Sequence, residues 1–381
     1  MSCLARVVQL EDHALTLPEH PEDGSDQRVG RQVVLAAIGV ADHDTLARPR
    51  VVRLYDSLHR CGSSYRDGVG DATGRGEFAA IERIAARFAD GLAPGEVWIG
   101  DDAAVVNIGP GVVVVATDAV VDGVHADLTL TSIADLGWKA LAVNISDLAA
   151  MGCVAVRALV TVSGPPDTDL DGLYDGLAEA SAVLGCPIVG GDLTSAPRLV
   201  VNVAVLGDGA VTPPPVLRSG AHPGDEIWIT GTLGGAAAGL RLLRGGGADA
   251  DPVGADLVRA HARPTPRVAE GVAARQLGAT AMIDVSDGFA ADLGHVLSTS
   301  GVGCELDVLP IRAGALREEA LGGGEDYELV WCCRPDAGVA DGFARRGLRA
   351  PILLGRCVTD ADHRVLEGAA MPSAGWTHPI G

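Results

Sequence analysis

Hydrophobic and polar positions follow two regular patterns from about Gly76 onward, one typical of helices and one typical of strands. The segment "EFAAIERIAARFAD" has apolar residues at helical spacing, and "VVVVAT" is typical of a buried strand. A long helix is predicted in "SIADLGWKALAVNISDLAAMG", with Ser132 as its N-cap and Asp135 three residues on. The strand "RALVTVSG", the helix "LDGLYDGLAEASAVLG", the strand end "PIVGGD" and the strand "RLVVNVAVLGD" follow.

A proline-rich joint, "VTPPPVLRSGAHPGD", separates this half from a second one. After it, "EIWITGTLGGAAAGLRLLRGG" predicts a strand, a glycine-rich turn and a helix, and "GGGADADPVGAD" predicts a loop. "TAMIDVSDGFAADLGHVLSTSG" predicts a strand, an acidic turn and a helix, and "GGGEDYELVWCC" a turn that leads into a strand. The chain is therefore expected to have an α/β (α+β) fold with two domains, residues 76–212 and 216–381.

The first 73 residues follow neither pattern. They include "LPEHPEDGSDQ" and "CGSSYRDGVGDATGRG", which are rich in turn-forming residues. Residues 1–73 are expected to be an N-terminal extension, either loosely ordered or folded as a small accessory element.

The net charge of the chain restricts the kinds of molecule that it can bind. With 50 acidic and 29 basic residues the formal charge is −21, which disfavours nucleic acid and anionic membranes and favours divalent cations. No apolar run approaches the roughly 20 residues of a membrane helix. The eight cysteines show no zinc-ligand spacing and no signal peptide precedes them, so we expect them reduced and mostly buried in a cytoplasmic protein. The only lysine, Lys139, is expected at the surface with its stem along apolar neighbours.

Aspartates mark the ends of predicted strands and the loops after them. Taken singly, each is explained as a turn-former, an N-cap or a surface charge. Together, in both halves of the chain, they predict a Mg²⁺ site for a phosphorylated substrate, because hard divalent cations bind several carboxylate oxygens. The chain has no P-loop, no dinucleotide-binding glycine motif and no hydrolase elbow. These acids are Asp101, Asp102, Asp118, Asp147, Asp192, Asp284 and Asp287.

A set of longer motifs is more specific. In order, "IGDDAAVV", "TDAVVDGVHAD", "DLGWKALAVNISDLAAMG", "VGGDLTS", "AMIDVSDGFAADLGHV" and "GGGEDYEL" resemble the thiamine-monophosphate kinase family. That family belongs to the aminoimidazole ribonucleotide synthetase-like superfamily. The resemblance implies an N-terminal domain that binds ATP and metal, followed by a C-terminal α/β domain. It also implies phosphorylation of thiamine monophosphate to thiamine diphosphate with ATP and several Mg²⁺ ions, in a homodimer.

The resemblance also assigns residues, position by position. Asp118, Asp147, Asp287 and Arg218 match catalytic positions. The metal ligands would be Asp102, Thr117, Asp118, Asp147, Asp192, Asp284 and Asp287. The ATP contacts would be Tyr174, Gly191, Asp192, Arg218 and Ser286, and the thiamine monophosphate contacts His125, Glu325 and Trp376.

Two departures from the family pattern stand beside these positions. Ala116 precedes "TD" where the family often has a hydroxyl residue, and Ala126 replaces the usual Phe after His125. Two alternatives stay open at this point. One is another ATP-dependent enzyme of the same superfamily, and the other is a catalytically inactive homologue that only binds nucleotide.

Overall fold

The computed structural model describes residues 96–97, 101, 103–108, 111–246 and 251–377. All of these residues fall within one compact unit of the chain. The predicted extension, residues 1–73, and the predicted helix in "EFAAIERIAARFAD" lie outside the described residues.

The first half of the described chain forms a five-stranded sheet with two helices. Its elements are β1 (Ala104–Ile108), β2 (Gly111–Val121), α1 (Ile133–Ala150), β3 (Ala155–Gly164), α2 (Leu170–Leu184), β4 (Ile188–Ser195) and β5 (Val200–Asp208). The strand order is β1-β2-β5-β3-β4, with only β3 and β4 parallel. Helix α1 packs on β2 and β5, and α2 packs on α1.

The second half forms a seven-stranded sheet flanked by further helices. Its elements are β6 (Glu226–Ile229), α3 (Gly235–Arg244), α4 (Pro252–Ala262), α5 (Val268–Gln276), β7 (Ala279–Asp284), α6 (Phe289–Ser300), β8 (Gly303–Leu306), α7 (Arg317–Gly322), β9 (Leu329–Cys333), α8 (Val339–Arg345), β10 (Ile352–Val358), β11 (Arg364–Leu366) and β12 (Ala369–Ala370). The order is β12-β11-β8-β10-β6-β9-β7, and only the β8–β11 pair is parallel.

The predicted mixed α/β fold is confirmed, and the proline-rich joint lies between the two sheets. One loop prediction is wrong, because helix α4 begins at Pro252 inside the segment that was expected to be a loop. The local cause is a good start signal: the Asp251 carboxylate accepts the N–H of Gly254 at 2.8 Å, and proline occupies the first helical turn.

Helix α1 joins the two halves. Ser132 is its N-cap, as the sequence predicted, and forms a capping box with Asp135 that holds the first turn. Almost every side of the helix is buried, because its C-terminal end packs against α5 as well as the first sheet. At Gly271 of α5, an added Cβ would lie 2.1 Å from the carbonyl oxygen of Ala149. This close approach brings polar residues of α1 to the edge of the second sheet.

The described cysteines agree with the composition-based prediction. Cys153, Cys186, Cys304, Cys332, Cys333 and Cys357 are free and buried. Burial raises the pKa of the Cys153 thiol to about 11, so it stays protonated at neutral pH. Cys3 and Cys61 lie outside the described residues. Among the helices that the structure describes, none combines the length and the apolar character needed to cross a bilayer.

Candidate active site

A buried tyrosine marks the place where acids from both halves of the chain converge. Tyr327 lies just before β9, is 8% exposed and has a positive φ of 49°. Burial raises its pKa well above the usual value, and the charges of nearby carboxylates raise it further. Four predicted site residues are therefore near enough to Tyr327 for their charges to act on its hydroxyl group. They are Glu325, Asp118, Asp284 and Asp147.

Asp118 is positioned by a residue of α1 that the sequence analysis missed. The buried Asn144 accepts the backbone N–H of Asp118 at 2.7 Å and donates its own amide to the carbonyl of Ala140 at 2.9 Å. Thr117 donates its hydroxyl to the Val203 carbonyl at 3.0 Å. The sequence placed both Thr117 and Asp118 at a strand end, but β2 continues to Val121, so they lie inside the strand.

Asp284, at the end of β7, is tied to α1 by a short hydrogen bond. Ser146 donates its hydroxyl to the Asp284 carboxylate at 2.5 Å, and both residues are buried. Asp147 is the next residue along α1 and lies in the last turn of that helix, half-buried. The hydrogen bond therefore connects a predicted metal ligand of the second sheet with the helix that carries another.

Carboxylates are crowded at the turn after β7. Asp292, in the first turn of α6, accepts the backbone N–H groups of Asp287 and Gly288, each at 3.0 Å. Burial raises the pKa of Asp292 well above its usual value, and the charges of Asp287 and Asp284 raise it further. Such crowding of negative charge is electrostatically suited to a bound cation.

The donor chemistry fits Mg²⁺, which prefers carboxylate oxygens. The described residues alone do not form a full coordination sphere, since no group of three or more His, Cys, Asp or Glu side chains among them is arranged to hold a metal ion. Asp102, one of the predicted ligands, lies outside the described residues.

The motifs "VSDG" and "GGED" pair through their backbones. Glu325 donates its N–H to the Ser286 carbonyl at 2.7 Å, and Tyr327 donates to the Val285 carbonyl at 2.9 Å. Gly324 permits this approach, because an added Cβ would lie 2.4 Å from the Ser286 carbonyl oxygen. The predicted ATP contact Ser286 is thus next to the predicted acceptor contact Glu325.

Lys139 is buried, so the prediction of a surface lysine was wrong. Its side chain is 3% exposed, and Nζ lies 3.0 Å from each carboxylate oxygen of Glu325 and 3.2 Å from the carbonyl oxygen of His125. The reason lies in the tertiary structure. Other elements pack over this side of α1, and the carboxylate of Glu325 lies against the ammonium group there. Burial would raise the pKa of Glu325, but the charge of Lys139 and the neighbouring His261 lower it to about 2.

His125 is held by a tight turn after β2. Its Nδ1 accepts the backbone N–H of Val121 at 3.1 Å, so the neutral imidazole carries its proton on Nε2. Gly123, with a φ of 78°, donates its N–H to the carbonyl of Ala126 at 2.6 Å. Ala126, which stands where the family usually has Phe, is buried in this turn.

Trp376 reaches the same region from the C-terminal segment. Its backbone N–H donates to the Asp287 carbonyl at 2.8 Å, while 54% of the residue is exposed. Gly375 precedes it with a φ of 150°, and a Cβ there would come within 2.5 Å of Ala291 Cβ. The residue is therefore more than half exposed beside the acidic turn.

Four predicted residues lie on other elements of the fold. Gly191 and Asp192 are exposed inside the edge strand β4, whereas the sequence placed them at a strand end. A Cβ at Gly191 would lie 1.7 Å from the Val160 carbonyl oxygen, so only glycine fits. Tyr174 is 36% exposed in the first turns of α2. Arg218 lies in the joint between the sheets and donates its backbone N–H to the Asp101 carboxylate at 3.1 Å.

Sequence reasoning missed the residues that hold these groups in place. Asn144 and Ser146 carried a usable signal, since both are small polar residues inside an otherwise apolar helix. Asp292 gave no such signal, because an acid in the first turn of a helix is ordinary. The residues that contact the predicted site residues and that the sequence did not assign to the site are Lys139, Asn144, Ser146, His261 and Asp292.

Comparisons with known proteins show the family of the chain. The model of AIR synthase related protein, N-terminal domain, matches residues 100–208, and that of the C-terminal domain matches residues 222–365. Thiamine-monophosphate kinase of Mycobacterium tuberculosis is 40% identical over 277 residues, covering 68% of this chain and 80% of the relative. The Escherichia coli K12 enzyme of the same name is 40% identical over 275 residues, covering 67% and 82%.

A solved structure points the same way. It is described as "AaThiL complexed with AMPPCP and TMP" and matches with a TM-score of 0.70 at 29% identity, covering 80% of this chain and 97% of that chain. The sequence relatives and the two matching domains leave one assignment: the chain belongs to the thiamine-monophosphate kinase family, which is built from the AIR synthase related N-terminal and C-terminal domains.

Proposed function

We propose that this protein transfers the γ-phosphoryl group of ATP to thiamine monophosphate and forms thiamine diphosphate. The observation that carries the proposal is that carboxylates of both halves, Asp118, Asp147, Asp284 and Glu325, act on the buried Tyr327, while the loop of Glu325 pairs with the acidic turn after β7 to which Trp376 also binds. Relatives at 40% identity are thiamine-monophosphate kinases. A structural neighbour at 29% identity is described as complexed with AMPPCP and TMP.

The acids provide the site for Mg²⁺. When bound, Mg²⁺ neutralises charge on the phosphates of both substrates. The chain's contribution is to hold oxygen ligands in place: Asn144 fixes the backbone of Asp118, and Ser146 fixes the carboxylate of Asp284. The proposed ligands are Asp102, Thr117, Asp118, Asp147, Asp192, Asp284 and Asp287.

Positioning is the main task of the remaining residues. The acceptor is a phosphate that is already ionised at neutral pH, so the transfer needs no strong general base. Arg218 adds positive charge at the triphosphate, and Ser286 contacts it from the turn after β7. On the acceptor side, His125, Glu325 and Trp376 would hold thiamine monophosphate. The other proposed ATP contacts are Tyr174, Gly191 and Asp192.

One assay separates this proposal from its alternatives. ATP consumption is measured with thiamine monophosphate, thiamine and an aminoimidazole ribonucleotide precursor offered in parallel. Turnover with thiamine monophosphate alone is expected. Turnover with the aminoimidazole precursor would instead indicate another activity of the superfamily. Nucleotide binding without turnover of any acceptor would indicate an inactive homologue.

We also propose that two copies associate through the first sheet. Strand β4 is an exposed edge, and Val189, Leu193 and Leu159 are 58%, 57% and 43% exposed. Exposed apolar patches of this kind mark protein interfaces. Leu193→Glu should shift the protein toward monomer in analytical ultracentrifugation. Val183→Glu, at a 66% exposed position of α2, should leave the assembly unchanged.

A cytoplasmic location is proposed with this function. ATP, the co-substrate, is a cytoplasmic metabolite, and the described cysteines are free, as is usual in a reducing compartment. The formal charge of −21 gives no attraction to nucleic acid or to an anionic membrane surface. Chemical trapping of thiols in intact cells, which should find them reduced, tests the compartment.

A further inference from the structure

A buried lysine connects two proposed acceptor contacts that come from different halves of the chain. Lys139 lies on α1 of the first half, and Glu325 lies in the loop before β9 of the second. The ammonium group is 3.0 Å from both oxygens of Glu325 and 3.2 Å from the carbonyl oxygen of His125. One cation therefore contacts both the carboxylate of one acceptor contact and the backbone of the other.

The ammonium group has no donor left for a substrate. A lysine has three N–H donors, and three acceptor oxygens surround Nζ of Lys139. With 3% of its side chain exposed, it is also closed off from solvent. Its effect on a bound phosphate must therefore be indirect, through the groups that it holds.

Glu325 is fixed at several points yet remains open on one side. Its φ of 67° is unusual for a residue other than glycine and persists only where the surroundings impose it. The backbone N–H is bound to the Ser286 carbonyl, and the buried His261 places Nδ1 3.3 Å from the carboxylate. A quarter of the side chain is still exposed. Glu325 is thus a preorganised group with one face available to a ligand.

His261 does not replace the lysine. Within the part of the chain that the structure describes, its buried Nδ1 makes no hydrogen bond despite the short distance to Glu325. Lys139 is accordingly the cation that is hydrogen-bonded to the carboxylate. Without Lys139, the partly buried carboxylate of Glu325 would stand without its hydrogen-bonded cation beside a site that must admit phosphate groups, and its charge would repel them.

We propose that Lys139 is a positioning residue of the acceptor site, which orients Glu325 and the turn of His125 and neutralises the carboxylate so that thiamine monophosphate can bind. This inference rests on the proposed function. It adds a residue that touches neither substrate and that links the acceptor contacts of the two domains.

The test is the steady-state kinetics of Lys139→Met, with each substrate varied in turn. The KM for thiamine monophosphate should rise about tenfold or more, while the KM for ATP should change less than about twofold. Glu325→Gln alone should also raise the KM for thiamine monophosphate. The double variant should have a KM for thiamine monophosphate close to that of the more impaired single variant, because Lys139 acts through Glu325.

Arg275→Met is the matched control. Arg275 is another buried cation between the two halves, 5% exposed, and it donates to the Gly152 carbonyl at 2.8 Å and to the Pro213 carbonyl. Its loss should lower the melting temperature and leave the KM for thiamine monophosphate unchanged. If Lys139→Met does not fold, Lys139→Gln replaces it in the test, because its amide keeps an N–H donor toward Glu325. A smaller rise in the KM for thiamine monophosphate is then expected.

Three outcomes would overturn the inference. Folded Lys139 variants with an unchanged KM for thiamine monophosphate would do so, as would equal changes in both KM values. Full additivity in the double variant would show that Lys139 does not act through Glu325. If the wild-type enzyme turns over thiamine monophosphate, each of these results rejects the positioning role alone. No turnover by the wild-type enzyme rejects the proposed function and this inference together.

Discussion

The backbone N–H of Trp376 donates a hydrogen bond to the carbonyl of Asp287 at 2.8 Å. Asp287 belongs to the acidic turn after β7, and Trp376 lies six residues beyond β12, the last strand, in the chain's C-terminal segment. The bond fixes the backbone of Trp376, a residue that is more than half exposed, beside the backbone of a proposed metal ligand. Under the proposed function, this would bring a surface for stacking an aromatic substrate ring close to the metal-bound phosphates.

Removal of the indole tests this arrangement. In Trp376→Ala the loss of a stacking surface should cost about 1–3 kcal/mol of acceptor binding, if it resembles base–aromatic stacking. The KM for thiamine monophosphate should therefore rise, with the KM for ATP nearly unchanged. Trp376→Phe keeps an aromatic face and should retain most of the affinity. A change confined to the KM for ATP, or no change in either constant, would make Trp376 a structural residue.

The hydrogen bond from Ser146 to Asp284 should matter for both stability and rate. Ser146→Ala leaves a buried carboxylate without this donor, which should lower the free energy of unfolding by roughly 1–3 kcal/mol. Because Asp284 is a proposed metal ligand, kcat should fall as well. Urea unfolding and steady-state kinetics on the same preparation provide both measurements.

Ser181→Ala is the control for that variant. Ser181 donates its hydroxyl to the Cys186 carbonyl at 2.9 Å, which is a neutral hydrogen bond away from the acids. Its loss should cost only about 0.5–1.5 kcal/mol and should leave kcat unchanged. Equal kinetic effects of the two substitutions would contradict a specific role for Ser146.

The sequence predicted the secondary structure and the acidic candidate site residues. It did not predict the tertiary contacts that hold those residues in place. Local signals were enough for the N-cap at Ser132 and for the mixed α/β fold, because caps and periodicity are properties of short segments. The burial of Lys139 depends on Glu325, which is far away along the chain, so no local pattern reveals it. The length of β2 beyond Asp118 likewise depends on its pairing with β5.

The metal requirement can be tested by comparing the same substitution at two exposed aspartates, one a proposed metal ligand and the other not. Asp118→Asn halves the oxygen donors of a proposed metal ligand and removes its charge, so kcat should fall by an order of magnitude or more, and excess chelator should abolish wild-type turnover. Asp362→Asn, in the exposed turn before β11, is the control and should have no effect on rate. Full activity in the presence of chelator would refute the metal site.

Asp326, next to Glu325, holds the start of helix α3. Its carboxylate accepts the backbone N–H of Gly234 at 2.5 Å and that of Ala236 at 3.1 Å. Burial raises the pKa of Asp326, and the two backbone hydrogen bonds lower it. The charge of Glu328 raises it slightly, and that of Arg312 lowers it slightly. The net result is a pKa raised from 3.8 to about 7. The folded protein therefore keeps a proton here that the unfolded chain has already lost.

This proton predicts the direction in which stability changes with pH. Between pH 4 and 7 the folded state binds more protons at Asp326 than the unfolded state, so this residue's contribution to stability falls as pH rises, by at most about 1.4 kcal/mol per pH unit. Asp326→Asn cannot titrate, and its amide oxygen still accepts a backbone N–H. Urea unfolding at pH 5, 6, 7 and 8 should show the wild-type protein losing stability relative to Asp326→Asn up to about pH 7 and no further above it. The same comparison with Asp362→Asn should give a difference that does not vary with pH. A constant difference between wild type and Asp326→Asn across the series would show that Asp326 is ionised in the folded protein throughout this range.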